Sequence, residues 1–205
     1  MSSNPTAGIG DPYWYEWSVG LLYALDMLFP EENIKHVILQ YGAMQGLDDV
    51  VLVHNDDQVE CIQIKHTRGS DTLTVSNITS GLIQSMSNDW DNAKALGYSH
   101  CTAILFTNRT IGTQKSTSKD GTKLPSLDDF WSSLQKQIGE VKTISEIAFT
   151  AELEDAWKKW IHELSDLSDI KKLEFLIDLQ LVTNQEELAE IYKSIVDKLM
   201  RCLSS

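Results

Sequence analysis

The sequence lacks any long apolar segment and any export signal of the usual kind. No stretch of apolar residues reaches the ~18–20 that a membrane-spanning helix requires. Residues 1–10 are small and polar, without the basic region and following apolar stretch of a secretory signal peptide. We therefore expect a chain that is neither membrane-bound nor secreted.

Cysteine is scarce. The three cysteines, Cys61, Cys101 and Cys202, are odd in number and widely spaced. This pattern indicates neither a disulfide framework nor a zinc site. Cys61 and Cys101 lie in apolar runs and are most simply small buried strand residues. A reducing cytoplasm is the expected location.

Basic residues are also scarce: 17 Lys and Arg stand against 30 Asp and Glu, for a formal net charge of −13. Such a charge argues against a protein whose whole surface attracts phosphate groups. The imbalance is uneven, because acids are dense in residues 165–190, whereas residues 109–123 carry four basic side chains and one acid. This basic segment either contacts DNA or is a plain flexible loop without a binding role. Its candidate DNA contacts are Arg109, Lys115, Lys119 and Lys123.

Apolar periodicity predicts an α/β core followed by helices. A first helix begins at Asp11-Pro12, a capping residue followed by a proline at the first helical position, and ends near Pro30. Short β-branched runs predict strands at 34–39, 50–53, 59–65 and 102–106. Helices are predicted at 74–96, with Ser76 or Thr74 as cap and Gly97 as terminator, at 127–138, and over most of the chain after residue 150.

The second and third strands flank a run of turn-forming residues, which predicts an antiparallel hairpin. With 55–57 as the loop, Val53 faces Val59 and Val51 faces Cys61. Asp49 then faces Gln63, and alternation places Lys65 on the same side as Gln63. The opposite side carries Val50, Leu52, Ile62 and Ile64. A slip of one residue would select Asp48 in place of Asp49; the sequence allows both, and we favour Asp49.

An acid, an amide oxygen and a lysine at one end of a hairpin suit phosphodiester hydrolysis assisted by a metal ion. Magnesium prefers oxygen ligands and keeps several from water and substrate. A lysine beside the ion can orient the attacking water and stabilise the charged phosphate. The alternative is an ordinary solvated strand end.

The order Asp, strand, turn, strand, Gln-x-Lys resembles the PD-(D/E)XK nucleases, in the Mrr-like variant that has Gln in place of the second acid. The segments Leu47-Asp48-Asp49-Val50-Val51 and Gln63-Ile64-Lys65-His66-Thr67 are similar to the nuclease domains at the N-terminus of bacterial antiphage effectors. In that family the nuclease is fused to a SAVED cyclic-oligonucleotide sensor or a STAND-type NTPase. Further similar segments, within roughly residues 8–110, are Gly10 with Tyr13-Trp14-Tyr15-Glu16, Leu73-Thr74 and Thr107-Asn108.

The resemblance implies a restriction-endonuclease-like fold, with a mixed central sheet flanked by helices and a helical C-terminal part. It implies that Glu16, Asp49 and Gln63 hold Mg²⁺ or Mn²⁺ and that Lys65 is the catalytic lysine. Residues 1–150 would be the nuclease core and 151–205 a helical extension or a linker to a sensor or NTPase region. The implied function is double-stranded DNA cleavage in antiphage defence, in the bacterial cytoplasm, by a homo-oligomer activated through that region.

Several residues keep two interpretations. Glu16 is a metal ligand or an exposed acid favoured by the helix dipole. His66 and Arg68 are candidate DNA contacts, although a histidine at this place often merely ends a strand. Tyr13 and Tyr15 are candidates to line the site. Trp14 and Trp17 are expected in the core.

The function also keeps alternatives. Gln40 stands where this family often carries an acid, so the metal site would be short of one carboxylate. That departure and the acidic composition favour a second hypothesis, a catalytically degenerate module that binds DNA or a protein partner. A hydrolase of RNA or nucleotides on the same scaffold is a third, because no residue indicates whether a 2′-hydroxyl is recognised.

Overall fold

The computed structural model describes residues 11–42, 46–67, 71–117 and 121–204. Helices and strands alternate in the first half, and helices dominate the second. The helices are α1 (Asp11–Asp26), α2 (Val75–Ile78), α3 (Leu82–Ala95), α4 (Leu127–Ile138), α5 (Ala151–Glu163), α6 (Asp169–Asp178) and α7 (Leu188–Ser204), with 3₁₀ turns at Pro30–Glu32 and Ile144–Glu146. The strands are β1 (Ile34–Leu39), β2 (Val50–His54), β3 (Gln58–Lys65), β4 (Thr72–Leu73), β5 (His100–Thr107), β6 (Thr110–Ile111), β7 (Ser116–Thr117), β8 (Lys123–Leu124) and β9 (Leu179–Val182).

The central sheet has five strands in the order β1-β2-β3-β5-β9. The first three strands form an antiparallel meander, and β5 and β9 add to it in parallel. A parallel neighbour requires a crossover connection, and the helices between β3 and β5 and between β5 and β9 supply these crossovers. The predicted α/β class, with a mixed sheet flanked by helices and a helical C-terminal part, is confirmed.

Both faces of the sheet are covered. On one face Val50 and Leu52 of β2 pack with residues of α1 and α7. On the other face Val51 and Val53 pack with residues of α3, α4, α5 and α6. All four of these valine and leucine side chains are buried. Both faces of β2 therefore point toward a core, and the strand has no apolar–polar alternation that would mark a single inward face.

The predicted helix at 74–96 is two helices. Thr74 caps α2: its hydroxyl accepts from the Asn77 N–H at 3.2 Å, and the Asn77 side chain accepts from the Thr74 N–H at 2.9 Å. Gly81 then takes a left-handed conformation, with φ +94°, and α3 starts after it. Glycine adopts that conformation without the steric cost a side chain would bring, so Gly81 allows the break. Gly97, with φ +90°, follows the end of α3 as predicted.

The segment after residue 150 belongs to the same packing arrangement as the first part. The sequence analysis expected helices here, but Leu179–Val182 forms β9, which pairs with β5 over Ala103–Phe106. Helix α7 packs beside α1 on the same face of the sheet. No helix in the described segments is long and apolar enough to cross a membrane.

Strand β9 offers a direct test of this arrangement. Leu179 is buried and Gln180 is exposed. We expect Leu179→Ala to lower the free energy of unfolding by about 2–5 kcal/mol, the usual cost of such a truncation in a core. Gln180→Ala is the matched control and should change it by less than about 0.5 kcal/mol. Urea unfolding of both variants measures the difference, and equal effects would contradict the pairing of β9 with the core.

Candidate active site

An open cavity of about 610 Å³ lies at the end of the sheet where β2 begins and β3 ends. It brings together all four residues predicted to be catalytic. Its lining residues are Tyr13, Glu16, Gln40, Gly42, Asp48, Asp49, Gln63 and Lys65. Of the two tyrosines expected as candidates to line the site, Tyr13 lines the cavity, whereas Tyr15 is fully buried and does not.

The hairpin register places Asp49 beside Gln63. The pairs Val53↔Val59 and Val51↔Cys61 are those predicted from the turn. Beyond the last pair, Asp49 Oδ2 accepts a hydrogen bond from the Ile64 N–H at 2.6 Å and another from the Gln63 side-chain amide. The alternative register, shifted by one residue so that Asp48 faces Gln63, is therefore wrong. Asp48 nevertheless also lines the cavity.

The end of β1 holds the backbone of the two aspartates. The Gln40 N–H donates to the Asp49 carbonyl at 3.2 Å, and the Tyr41 N–H donates to the Asp48 carbonyl at 2.9 Å. Gln40 itself has a left-handed backbone, with φ +49°. The backbone of both aspartates is thus held by the end of β1, and the Asp49 carboxylate is also held by the Gln63 side chain and the Ile64 N–H of β3.

Helix α1 supplies Glu16. The preceding residue, Tyr15, is anchored under the helix, where its hydroxyl donates to the Glu186 carbonyl at 2.8 Å. Glu16 is half-buried at the cavity and accepts a hydrogen bond from the Gln40 side chain. Gln40, where an acid was expected from the resemblance, therefore supports Glu16 as a hydrogen-bond donor.

The cavity concentrates negative charge. Burial, followed by the charges of Asp49 and Asp48, raises the pKa of Glu16 to about 7 against the opposing effects of Lys65 and the Gln40 hydrogen bond. Burial also raises the pKa of Asp49, with the charge of Asp48 adding to it, against the opposing effects of the Ile64 N–H, Lys65 and Gln63. Like charges at close range disfavour ionisation of each other. A bound cation would relieve this repulsion.

The donor set fits a hard divalent cation. Glu16, Asp49 and Gln63 present carboxylate and amide oxygens, the ligand type that Mg²⁺ and Mn²⁺ accept. In the described residues, no group of three His, Cys, Asp or Glu side chains is placed to hold a metal ion. Any ion at this site would therefore depend on an amide, on water and on a substrate phosphate to complete its coordination.

Lys65 is the last residue of β3 and is exposed at the cavity. It pairs with Thr107 of β5, and the Thr107 hydroxyl donates to the Lys65 carbonyl. The next turn is also held, since the Asn108 side chain accepts from the Thr67 N–H at 3.0 Å and donates to its carbonyl. The main chain around Lys65 is thereby fixed while its amine reaches the cavity.

His66 lies away from the cavity. Its ring stacks on Tyr15, with ring centroids 4.2 Å apart, and its Nε2 atom lies 3.4 Å from a Glu187 carboxylate oxygen. Only 7% of its side chain is exposed. The structure therefore places His66 as a packing residue between α1 and the segment before α7, with little surface to offer DNA.

The other candidate DNA contacts are not brought to the cavity. Lys115 is exposed and forms an ion pair with Glu152 of α5. Lys123 is exposed on the small β7–β8 hairpin, and Arg109 follows β5. None of these three lines the cavity. Arg68 and Lys119, together with Gly10, lie outside the described residues.

The sequence analysis passed over one lining residue, Gly42. Two residues after Gln40, it follows the strand end that hydrogen-bonds to Asp48 and Asp49. In the sequence Gly42 is marked only as a glycine after the first predicted strand, and the pairing of β1 with β2 brings it to the cavity.

No family model matches the chain, and no curated protein matches it significantly.

The raised pKa of Glu16 predicts a pH-dependent effect of Glu16→Gln. The ordinary pKa is 4.5 and the folded one about 7, so the stability contributed by the protonated group is present below pH 4.5 and lost as pH rises through 7. A neutral glutamine should raise Tm at pH 8 and leave it nearly unchanged at pH 4.5. Because Glu16 is half-exposed, we expect a modest gain, about 2–4 °C.

Thermal melts at both pH values, without divalent ions, measure this effect. Glu32→Gln, which neutralises an exposed acid outside the cavity, is the matched control. A Tm gain at pH 4.5 equal to that at pH 8 would contradict the raised pKa of Glu16.

Proposed function

We propose that this chain is a metal-dependent nuclease that hydrolyses phosphodiester bonds in double-stranded DNA. The observation that supports it is the meeting of Glu16, Asp49, Gln63 and Lys65 at one open cavity. These residues come from α1, the start of β2 and the end of β3, so they are neighbours through the fold and not through the sequence. Oxygen donors beside one lysine are the set this hydrolysis requires.

Three of these residues would hold the cation. Asp49 Oδ2 is engaged by Ile64 and Gln63, so we assign Oδ1 to the ion. The Gln63 amide nitrogen donates to Asp49, so its oxygen is the atom assigned to the ion. Glu16 would complete the protein ligands. Bound Mg²⁺ or Mn²⁺ would neutralise charge on the phosphate and lower the pKa of a water ligand.

Lys65 would act on the substrate itself. Its main chain is held by Thr107 and its side chain is exposed at the cavity. From there the ammonium group can hydrogen-bond a water and a phosphate oxygen, stabilising the charge that grows in the transition state. Such a group, fixed before the reaction, avoids the cost of reorienting solvent.

The choice of DNA and the biological setting rest on the sequence resemblance. On that basis we propose an effector domain of bacterial antiphage defence, acting in the cytoplasm as a homo-oligomer under a fused sensor or NTPase region. The net charge of −13 requires that DNA be bound by local basic groups, since the chain as a whole repels phosphates.

Two observations favour the second hypothesis, a degenerate module that binds DNA or a protein partner without cleavage. Gln40 stands beside Glu16 in place of an acid, and no three-residue cluster of acids, histidines or cysteines in the described chain is placed to hold a metal. Metal binding distinguishes the two hypotheses, because only the nuclease needs it.

The first test compares the two neighbouring aspartates. Asp49→Asn should weaken Mn²⁺ binding at least about 10-fold, the usual effect of disturbing a ligand or its support, and should abolish DNA cleavage. Asp48→Asn, the matched control of equal charge change, should retain most of both. Calorimetric titration and plasmid cleavage, with EDTA as the metal-free arm, measure these effects. Undiminished cleavage in EDTA, or a reversed order of the two variants, would refute the assignment.

The second test concerns Lys65. Lys65→Ala should lower the cleavage rate about 100- to 1,000-fold, as the loss of one fixed electrostatic group does, while the protein still folds and still binds Mn²⁺. Lys65→Arg should not restore the rate, because the planar guanidinium differs in shape and reach from an ammonium. Lys35→Ala, at an exposed strand lysine away from the cavity, is the control. Full activity of Lys65→Ala would leave the binding module as the better account.

A further inference from the structure

The chain between β1 and β2 is attached to helix α3 just before it reaches the cavity. The Gly46 N–H donates a hydrogen bond to the Asp89 carboxylate of α3. Both residues are buried, and Asp89 is only 8% exposed. An aspartate is rarely buried to this degree without a partner, because its charge must leave water. Asp89 therefore directs a carboxylate oxygen at the main chain of this connection from inside the core.

Gly46 also lies directly against the main chain of α3. A Cβ atom added to it would lie 2.5 Å from the Ser85 carbonyl carbon and 2.7 Å from the Ser85 Cβ atom. Only glycine allows the backbone to come this close. Asp89 follows Ser85 by four residues, so the two lie on the same side of the helix. The hydrogen bond and the close packing therefore hold the same point of the chain.

Only Leu47 separates Gly46 from the two aspartates of the cavity. Leu47 is fully buried and belongs to the same core cluster as the buried apolar residues of α3. The carbonyl groups of Asp48 and Asp49 then accept hydrogen bonds from the end of β1. The segment 46–49 is thus held by α3 at its first residue and by β1 at its last two.

We propose that Asp89 is a positioning residue of the candidate active site, which sets the place of Asp49 through the main chain of Gly46. The inference rests on the proposed function, since it concerns the placement of a metal ligand. Asp89 does not line the cavity, so it touches neither metal nor substrate. A hydrogen bond to an ionised acceptor is roughly twice as strong as one between neutral groups. A carboxylate therefore restrains Gly46 more than a neutral acceptor would.

The placement of Asp49 matters because its two carboxylate oxygens have different tasks. Oδ2 accepts from the Ile64 N–H and the Gln63 side chain, whereas Oδ1 is assigned to the ion. Groups of a metal or catalytic site must be held within about 0.5 Å of their working geometry. A displacement of about 1 Å can lower a rate roughly 100-fold. Movement at Gly46, three residues before Asp49, would produce such a displacement.

Asp178 provides a matched control. It is also 8% exposed and accepts a hydrogen bond from a buried N–H, that of Trp90 Nε1, at 3.1 Å. It ends α6, which packs on the same face of the sheet as α3. Asp178 precedes β9, however, and so lies at the end of the sheet opposite the cavity. Removal of either carboxylate takes a hydrogen bond from a buried donor and should lower Tm similarly, but only Asp89 should affect the site.

Mn²⁺ titration, plasmid cleavage at saturating Mn²⁺ and hydrogen exchange of the Gly46 amide, all well below Tm, test the proposal. Asp89→Ala should weaken Mn²⁺ binding about 10-fold, as removal of groups that orient metal ligands does. It should lower turnover about 100-fold, and the Gly46 amide should lose its protection from exchange. Asp178→Ala should match the wild type in all three measurements.

Asp89→Asn separates position from charge. It keeps an oxygen for the Gly46 N–H but carries no charge, so it should retain most of the Mn²⁺ affinity and turnover. Impairment equal to that of Asp89→Ala would assign the effect to charge and overturn the proposal. If Asp89→Ala does not fold, Asp89→Asn and the wild type still decide, because a Gly46 amide that exchanges freely in the wild type also overturns it.

The remaining outcomes distinguish this inference from the proposed function. If the wild type binds Mn²⁺ and cuts DNA, and Asp89→Ala does both equally well, the positioning role is wrong and the proposed function stands. The same holds if Asp178→Ala impairs both as much, since the effect would then follow from stability alone. If the wild type neither binds Mn²⁺ nor cuts DNA, the proposed function fails, and the role of Asp89 in it fails with it.

Discussion

Strand β3 pairs with an antiparallel neighbour on one side and a parallel neighbour on the other, and the rest of the structure depends on this double pairing. The hairpin with β2 sets Asp49 against Gln63. The parallel pairing with β5 brings Thr107 beside Lys65. Because β3 is central, its apolar residues face both ways, and helices must cover both faces of the sheet. The site, the crossover helices and the two cores all follow from the position of this one strand.

The carboxylates of the candidate active site lower the stability of the fold when they are ionised. Three carboxylates line this open cavity beside Lys65, and burial, with their mutual repulsion adding to it, raises the pKa values of Glu16 and Asp49. Hydrogen bonds from Gln40, Gln63 and the Ile64 N–H compensate in part. A cluster of this kind is costly in a purely structural role, and perturbed pKa values of this origin are typical of functional sites.

Helix α1 connects three parts of the molecule. Tyr15 and Val19 anchor it to the sheet, Glu16 lines the cavity, and Trp14, Trp17 and Leu21 form an exposed apolar stripe. The expectation that Trp14 and Trp17 lie in the core is wrong: they are 59% and 53% exposed. The stacking of Tyr15 on His66 also links the helix to the residue after Lys65. The exposed apolar stripe and the site residue Glu16 therefore lie on one helix, which the sheet holds through Tyr15 and Val19.

Local pattern determined much of this protein from the sequence alone. The alternation of β2 and β3 and the turn between them gave the register that pairs Asp49 with Gln63, and Thr74 and Gly97 marked helix ends, because side-chain period and capping act over a few residues. Tertiary structure alone decided the rest. Leu179–Val182 became a strand because the edge of β5 was free to pair with it. Trp14 and Trp17 became exposed because α1 carries two apolar stripes and the sheet covers one. Periodicity shows that a stripe is apolar, but only packing between distant segments determines what covers it.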